Sequence, residues 1–210
     1  MIKRVKVKID GKEEYIYVPV EEFYNLHIND RLILSSHSIS PSNLKEFSAG
    51  FSVSEGYLTN IEAIEIEEKN IYVYGSYEKK ERKKGNLNLD INLIKKIGSL
   101  ELDYKYWKLT SGFHWASIFE GEEIICFFED ISRHNAVDKA IGFCILNNKN
   151  FDNLILRYSG RIPYEIVRKA VNANINVIIS KATATDKAIE LAKREGIALI
   201  KVKDGKATVY

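Results

Sequence analysis

The stretch "NLILRYSGRIPYEIVRKAVNANINVIIS", residues 153–180, decides the fold. Its opening "NLILRYS" is a short apolar run, the pattern of a buried strand, and it stops at Ser159-Gly160. "PYEIVRKAVNAN" then reads as a helix, with Pro163 suited to a first turn that has no use for its missing N–H. "NVIIS" is a second buried strand. A strand, a helix and a strand in succession make a βαβ unit, the connection that parallel strands require.

The alternation continues on both sides. Downstream, "TATDKAIELAKREG" predicts a helix ending at Gly196, and "IALIKV" another strand. Upstream, "EEIICFF" is a buried-strand run and "HNAVDKAIGFCILNN" a helix. Residues 100–210 are therefore expected to form an α/β domain with a mainly parallel sheet. The first part of the chain differs. "VKVKI" and "YIYV" alternate around Asp10-Gly11, a hairpin signal, and "RLILS" is a third strand. "SPSNLKEFSAGFSVSEGYL" predicts a helix beginning near Ser40 or Ser42, with Leu44, Phe47 and Phe51 at helical spacing and Gly56 as its stop. "IEAIEIEE" and "NIYVYGSY" complete a small α+β domain over residues 1–77. "EKKERKKGNLNLD" (78–90) is polar and apolar-poor, so 78–99 is expected to be a polar linker.

With 45% hydrophobic and 29% charged residues, the composition is that of a globular protein with a substantial core. A net charge of +2 excludes a general electrostatic case for nucleic acid or membranes, so neither is expected as a partner and any anion binding must be local. No apolar run approaches the ~18 residues of a membrane span, and the amino-terminal strand pattern lacks a signal peptide's apolar block. A cytoplasmic location is expected, and the only two cysteines, Cys126 and Cys144, suit a reducing compartment.

Function in α/β sheets gathers where strands end and helices begin, because backbone N–H groups and positive helix ends point into that crevice. Four polar clusters fall at such joins: "TSGFH" (110–114), "EDISRH" (129–134), "YSGR" (158–161) and "SKATATD" (180–186). They nominate His114, Arg133, His134, Ser159, Gly160 and Arg161 as ligand-binding residues, and four such corners on one rim suit a phosphate-rich, nucleotide-like ligand. Each corner also has a structural reading. Glu129 and Asp130 could serve a helix N-terminus with Arg133 as their ion-pair partner, the histidines could be core, and Thr185-Asp186 could be a cap.

Other chemistries fit poorly. A zinc deaminase needs His-x-Glu and Pro-Cys-x-x-Cys, but "HWA" places Ala116 at the glutamate and no Cys-x-x-Cys exists, so no metal is expected. Ser159, His134 and Asp138 could be assembled into a triad, yet no nucleophile elbow supports it. Cys126 in "IICFF" and Cys144 in "IGFCIL" read as buried and inert, leaving Cys126 a weak catalytic candidate.

Taken together, "FSAGFSVSEGYL", "TSGFHWAS", "EDISRHNAVDKAIG", "SGRIPYEIVRKA" and "GKATVY" resemble, in order, motifs of the FdhD family, the formate dehydrogenase accessory proteins described as sulfur carriers or sulfurtransferases. The resemblance runs from about residue 47 to the C-terminus. It implies that the second domain has a cytidine-deaminase-like fold. It also implies a protein that binds the molybdenum (or tungsten) bis-molybdopterin guanine dinucleotide cofactor and guanine nucleotides. Such a protein takes sulfur from a cysteine desulfurase and serves formate dehydrogenase, as a homodimer. The family's cofactor-binding stretch maps onto Lys201, Val202, Lys203, Asp204, Gly205 and Lys206, where lysines can meet phosphate and glycine permits close approach. One departure is plain. The family carries a Gly-Cys-Gly-x-Cys-Gly loop after a basic run, and here "KKERKK" is followed by "GNLNLDIN". A persulfide needs an exposed, activated thiol. The expected role is therefore cofactor binding and assistance with its sulfuration or delivery, the alternative being a non-catalytic nucleotide- or cofactor-binding module.

Overall fold

The computed structural model describes residues 1–79, 82 and 90–210; most of the basic run and of the segment aligned with the family's cysteine loop lies outside them. The predicted hairpin is β1 (Ile2–Ile9) and β2 (Lys12–Pro19), turned through Asp10 and Gly11, both at positive φ. A four-stranded sheet follows, ordered β4-β3-β6-β5, from β3 (Glu22–Ile28), β4 (Arg31–Ile39), β5 (Asn60–Glu67) and β6 (Asn70–Ser76). The helix of this part, α1 (Leu44–Ser54), starts later than its sequence suggested. Asn43 precedes it in the left-handed region without a side-chain cap, and Ser40 is a buried link to a later loop. Gly56, at φ +82, follows its end.

Helix α2 (Ile91–Ser99) corrects the expectation of a linker over 78–99. Asp90 caps it by accepting from the Asn92 and Leu93 amides, and Ile94 and Ile97 are buried. After the short α3 (Lys105–Thr110), the main sheet contains β7 (His114–Glu120), β8 (Glu123–Asp130), β9 (Leu154–Tyr158), β10 (Val177–Ser180), β11 (Ala198–Lys203) and β12 (Lys206–Val209). Its order is β12-β11-β10-β9-β7-β8. The α/β layering is as expected, but the sheet is mixed rather than mainly parallel. Parallel pairing is confined to β9, β10 and β11, and β7, β8 and β12 run antiparallel to their neighbours. The physical reason is that β7 and β8, like β11 and β12, are joined by tight turns, which force antiparallel pairing.

Helices α4 (Arg133–Leu146), α5 (Tyr164–Asn172) and α6 (Asp186–Glu195) cover one face of this sheet, and α2 covers the other. Ile118, Leu156, Ile178 and Leu199 are wholly buried on the three-helix face, each burial stabilising by about 1.5–3 kcal/mol. Helix α1 lies between the small sheet, where Phe47 enters the core, and α4. There the two backbones touch: a Cβ on Gly50 would sit 1.8 Å from the Asp138 carbonyl oxygen, and one on Gly142 1.7 Å from that of Glu46.

Register fixes the rim. His114 pairs with Asp130, Ala116 with Tyr158, Tyr158 with Ser180, and Ser180 with Lys201. The loops before β7 and after β8, β9, β10 and β11 therefore all leave the sheet at the same edge.

Candidate binding site at the sheet rim

The acids of "EDISRHNAVDK" (129–139) serve the fold. Glu129 accepts the Tyr106 and Trp107 amides at 3.0 and 2.7 Å, holding the N-terminus of α3. Asp130 is wholly buried. It accepts from Lys139 Nζ (2.6 Å), Asn135 Nδ2 (3.0 Å), the Ser132 amide (3.0 Å) and the Ser40 amide (3.3 Å), tying α4 to the end of β4. His37 of β4 reaches the same cluster, its Nε2 3.0 Å from Asn135 Oδ1. Asp138 accepts from Lys169 Nζ (2.8 Å) and Ser54 Oγ (2.6 Å), and Lys169 also pairs with Glu55 at 2.7 Å. The reading of Arg133 as ion-pair partner of Glu129 and Asp130 is thus corrected, because Lys139 pairs with Asp130 from inside the fold and Glu129 is taken by two backbone amides.

Arg133, released from that duty, opens α4 directly after the Ser132 cap, whose Oγ accepts the His134 amide at 3.3 Å. Its stem crosses the loop after β9. A Cβ on Gly160 would lie 2.8 Å from Arg133 Cδ and 3.0 Å from the Tyr158 ring, so this crossing requires glycine. Arg133 Nε is buried with no hydrogen-bond partner, and Arg133 makes no ion pair with a described carboxylate. Beside it, Ser159 Oγ accepts the Trp115 amide at 3.0 Å and lies 3.2 Å from His114 Nδ1. Burial pushes the His114 imidazole below its ordinary range, Arg133 adding to the effect against Asp130. His114, Arg133, Ser159 and Gly160 therefore form one cluster: a guanidinium, a neutral imidazole, a hydroxyl and a bare backbone, with no described carboxylate bound to the cation. That set suits an anion.

His134 turns elsewhere. Burial first, then Lys169 and Arg133, push its pKa down to about 4, against Glu165 and Glu55. Its charged neighbours besides Arg133 are Lys169 and Glu165 of α5 and Glu55 at the end of α1. The neutral form is the one the fold accepts, and the unfolded chain takes up a proton first. Its contribution to stability is present above 6.5 and declines as pH falls from 6.5 to about 4. Melting temperature is expected to drop across that window more steeply in the wild type than in His134→Gln; parallel curves would refute the assignment.

Elsewhere on the rim, Arg161 is exposed and its carbonyl accepts the Tyr158 hydroxyl. Thr185 caps α6, as expected, by accepting the Ala188 amide. The Lys201–Lys206 stretch contains the β11–β12 turn, with Asp204 and Gly205 at positive φ. It lies two strand positions from β9, about 10 Å at normal strand spacing. Val202 faces the α2 core, 2% exposed, where a Cβ on Gly98 would be 2.4 Å from it; its side chain is structural. Arg133, Arg161, Lys181, Lys201, Lys203 and Lys206 make no ion pair with a described carboxylate.

No thiol joins this rim. Cys126 and Cys144 are both buried, and Cys126 Sγ lies 3.6 Å from the Ala140 carbonyl oxygen. Hydrogen bonding to Cys144, followed by burial, pushes the Cys126 thiol far up, which suppresses the thiolate. Ser159, His134 and Asp138 do not form a triad: Ser159 meets His114, and Asp138 meets Lys169.

Protein FdhD of Methanocaldococcus jannaschii is 50% identical over 100% of this chain and 96% of its own length. Sulfur carrier protein FdhD of Sulfolobus acidocaldarius is 31% identical, over 88% of this chain and 84% of its own. The crystal structure of a candidate formate dehydrogenase accessory protein from Desulfotalea psychrophila matches with a TM-score of 0.82 at 26% identity, covering 100% of this chain and 95% of that one. A sequence model described as the FdhD/NarQ family matches residues 74–210, the span that carries the whole rim. The chain belongs to the FdhD/NarQ family.

Proposed function

We propose that this chain is an accessory protein of formate dehydrogenase that binds, as cargo, the molybdenum (or tungsten) bis-molybdopterin guanine dinucleotide cofactor across the rim of the six-stranded sheet and delivers it. Arg133 is the residue that carries this reading. Its stem crosses Gly160, its Nε is buried and unpartnered, and no described carboxylate pairs with it. A pyrophosphate there would gain charge-assisted hydrogen bonds from Arg133 and contacts from His114 and Ser159. The second phosphate-bearing end of a dinucleotide cofactor would fall toward Arg161 and the Lys201–Lys206 turn, with Gly205 allowing close approach. The name of the Desulfotalea relative supports the formate dehydrogenase link.

The part of the family's role that this reading leaves out is sulfur carriage. The relative at 31% identity bears the name sulfur carrier, but the two thiols of this chain are buried. A cysteine desulfurase is accordingly not a required partner, whereas a homodimer is retained in the proposal. GDP titrated into the full chain provides the test. Loss of a hydrogen bond to a charged group costs about 1.5–3 kcal/mol, so Arg133→Ala should bind GDP about ten- to a hundredfold more weakly, with a smaller loss for His114→Ala. Wild-type affinity in Arg133→Ala would refute the site. Mass spectrometry after incubation with a desulfurase and cysteine is expected to show no persulfide; one on Cys126 would restore the sulfur-carrier role.

A further inference from the structure

We propose that Arg157 forms a binding site for a small planar carboxylate, of the size of formate or acetate, on the α2 face of the sheet. Leu154, Leu156 and Tyr158 of β9 point to the three-helix face, and Ile155 points to the α2 face, so Arg157 shares the side of Ile155. It is 1% exposed, and neither Nη1 nor Nη2 has a hydrogen-bond partner. No described carboxylate pairs with it. The guanidinium carbon lies 5.1 Å from the centroid of the Trp115 ring, and Tyr104 stacks on Trp115 at 5.6 Å and 23°. Ser117 and Ile179 are its register partners on the neighbouring strands, and Ser117 Oγ is committed to the Cys126 carbonyl oxygen.

A charge buried without a countercharge is among the most costly arrangements in a fold, and stacking on Trp115 offsets only part of it. Burial pushes the Arg157 pKa down to about 10, which still leaves the cation charged at neutral pH. What the geometry offers is a flat fork with both terminal nitrogens uncommitted, the counterpart of two oxygens in one plane. The neighbours on this face are apolar or aromatic: Ile155, Ile179, Trp115 and Tyr104. They supply no second cation, so a dianion would stay uncompensated and a monoanion fits. Tyr104 is half-buried. This site goes beyond the cofactor reading and does not rest on it, since Arg157 and Arg133 lie on different faces of the sheet.

The test uses the full chain carrying Trp107→Phe, which leaves Trp115 as the sole tryptophan reporter. Sodium formate, sodium acetate and sodium chloride are titrated at constant ionic strength, followed by Trp115 emission and by calorimetry. Formate or acetate is expected to bind saturably, with chloride at least about tenfold weaker for want of a second oxygen. Arg157→Met should abolish the response while melting at or above the wild-type temperature, since it removes an unpaired buried charge. Arg157→Lys keeps the charge and loses the fork, and should weaken carboxylate binding about tenfold or more. Absence of saturable carboxylate binding to the wild type, or an unchanged response in Arg157→Met, overturns the proposal. Loss of GDP binding in Arg133→Ala has no bearing on either outcome.

Discussion

Lys139→Met should lower the stability of the folded chain by about 3–5 kcal/mol, because it leaves Asp130 buried without its countercharge. Both side chains are wholly inaccessible and meet at 2.6 Å. Asp130 keeps its other donors, Asn135 Nδ2 and two backbone amides, but hydrogen bonds do not neutralise a carboxylate in an apolar interior. Removing the charge as well, in Asp130→Asn/Lys139→Met, should recover a large part of the loss. Urea unfolding read as a midpoint shift at constant slope measures both. Lys187→Ala breaks only an exposed pair with Glu190 and should have no measurable effect. A Lys139→Met midpoint as close to wild type as that of Lys187→Ala would mean that the pair is not buried as described.

Gly142→Ala ranks second. A methyl group at this position would lie 1.7 Å from a backbone oxygen of α1, and a backbone atom cannot rotate out of the way. Helices α1 and α4 would have to separate, at a cost of about 3 kcal/mol or more, the upper end for overpacking. The gain in helix propensity on replacing glycine, about 1 kcal/mol, does not compensate. Gly50→Ala meets the same obstacle from the other side at 1.8 Å. Because the strain is shared, the double variant should lose less than the sum of the two single losses. Thermal or urea unfolding of the three variants checks this, and simple additivity would argue against a common contact.

The parts of the fold legible in the sequence are those with one dominant signal. Strands β9, β10 and β11 are short apolar runs, and α5 and α6 carry Pro163 and Gly196 at their ends. Two of the strands that escaped have mixed signals. In β7, "HWASIFE", both faces are covered, so Ser117 is as buried as Ile118 and no alternation survives. Strand β3 alternates, with Tyr24, Leu26 and Ile28 buried, but the exposed Phe23 beside Tyr24 blurs the pattern. Helix α2 had a readable pattern in Ile91, Ile94 and Ile97, masked by the polar stretch before it.

The candidate site follows the same logic. The corners were visible because small and polar residues mark the ends of strands, and the topology then brings His114, Arg133, Ser159 and Gly160 together. The division of labour was not visible. Lys139 and Lys169 look like solvent-facing lysines on a helix, yet they are the buried partners of Asp130 and Asp138. Arg157 sits in an apolar run as if facing water and instead faces the aromatic rings under α2. Charge balance inside a protein is a property of three-dimensional neighbours, and a linear pattern does not encode it.

The touching backbones of α1 and α4 set a condition on how the chain is made. When a ribosome has released the first seventy-odd residues, every strand of the small sheet is present, but the tight flank of α1 has nothing to lie on until Gly142 emerges. Synthesis therefore passes through a stage in which the early half is complete in sequence and unfinished in packing, and a single calorimetric transition for both halves is the natural outcome.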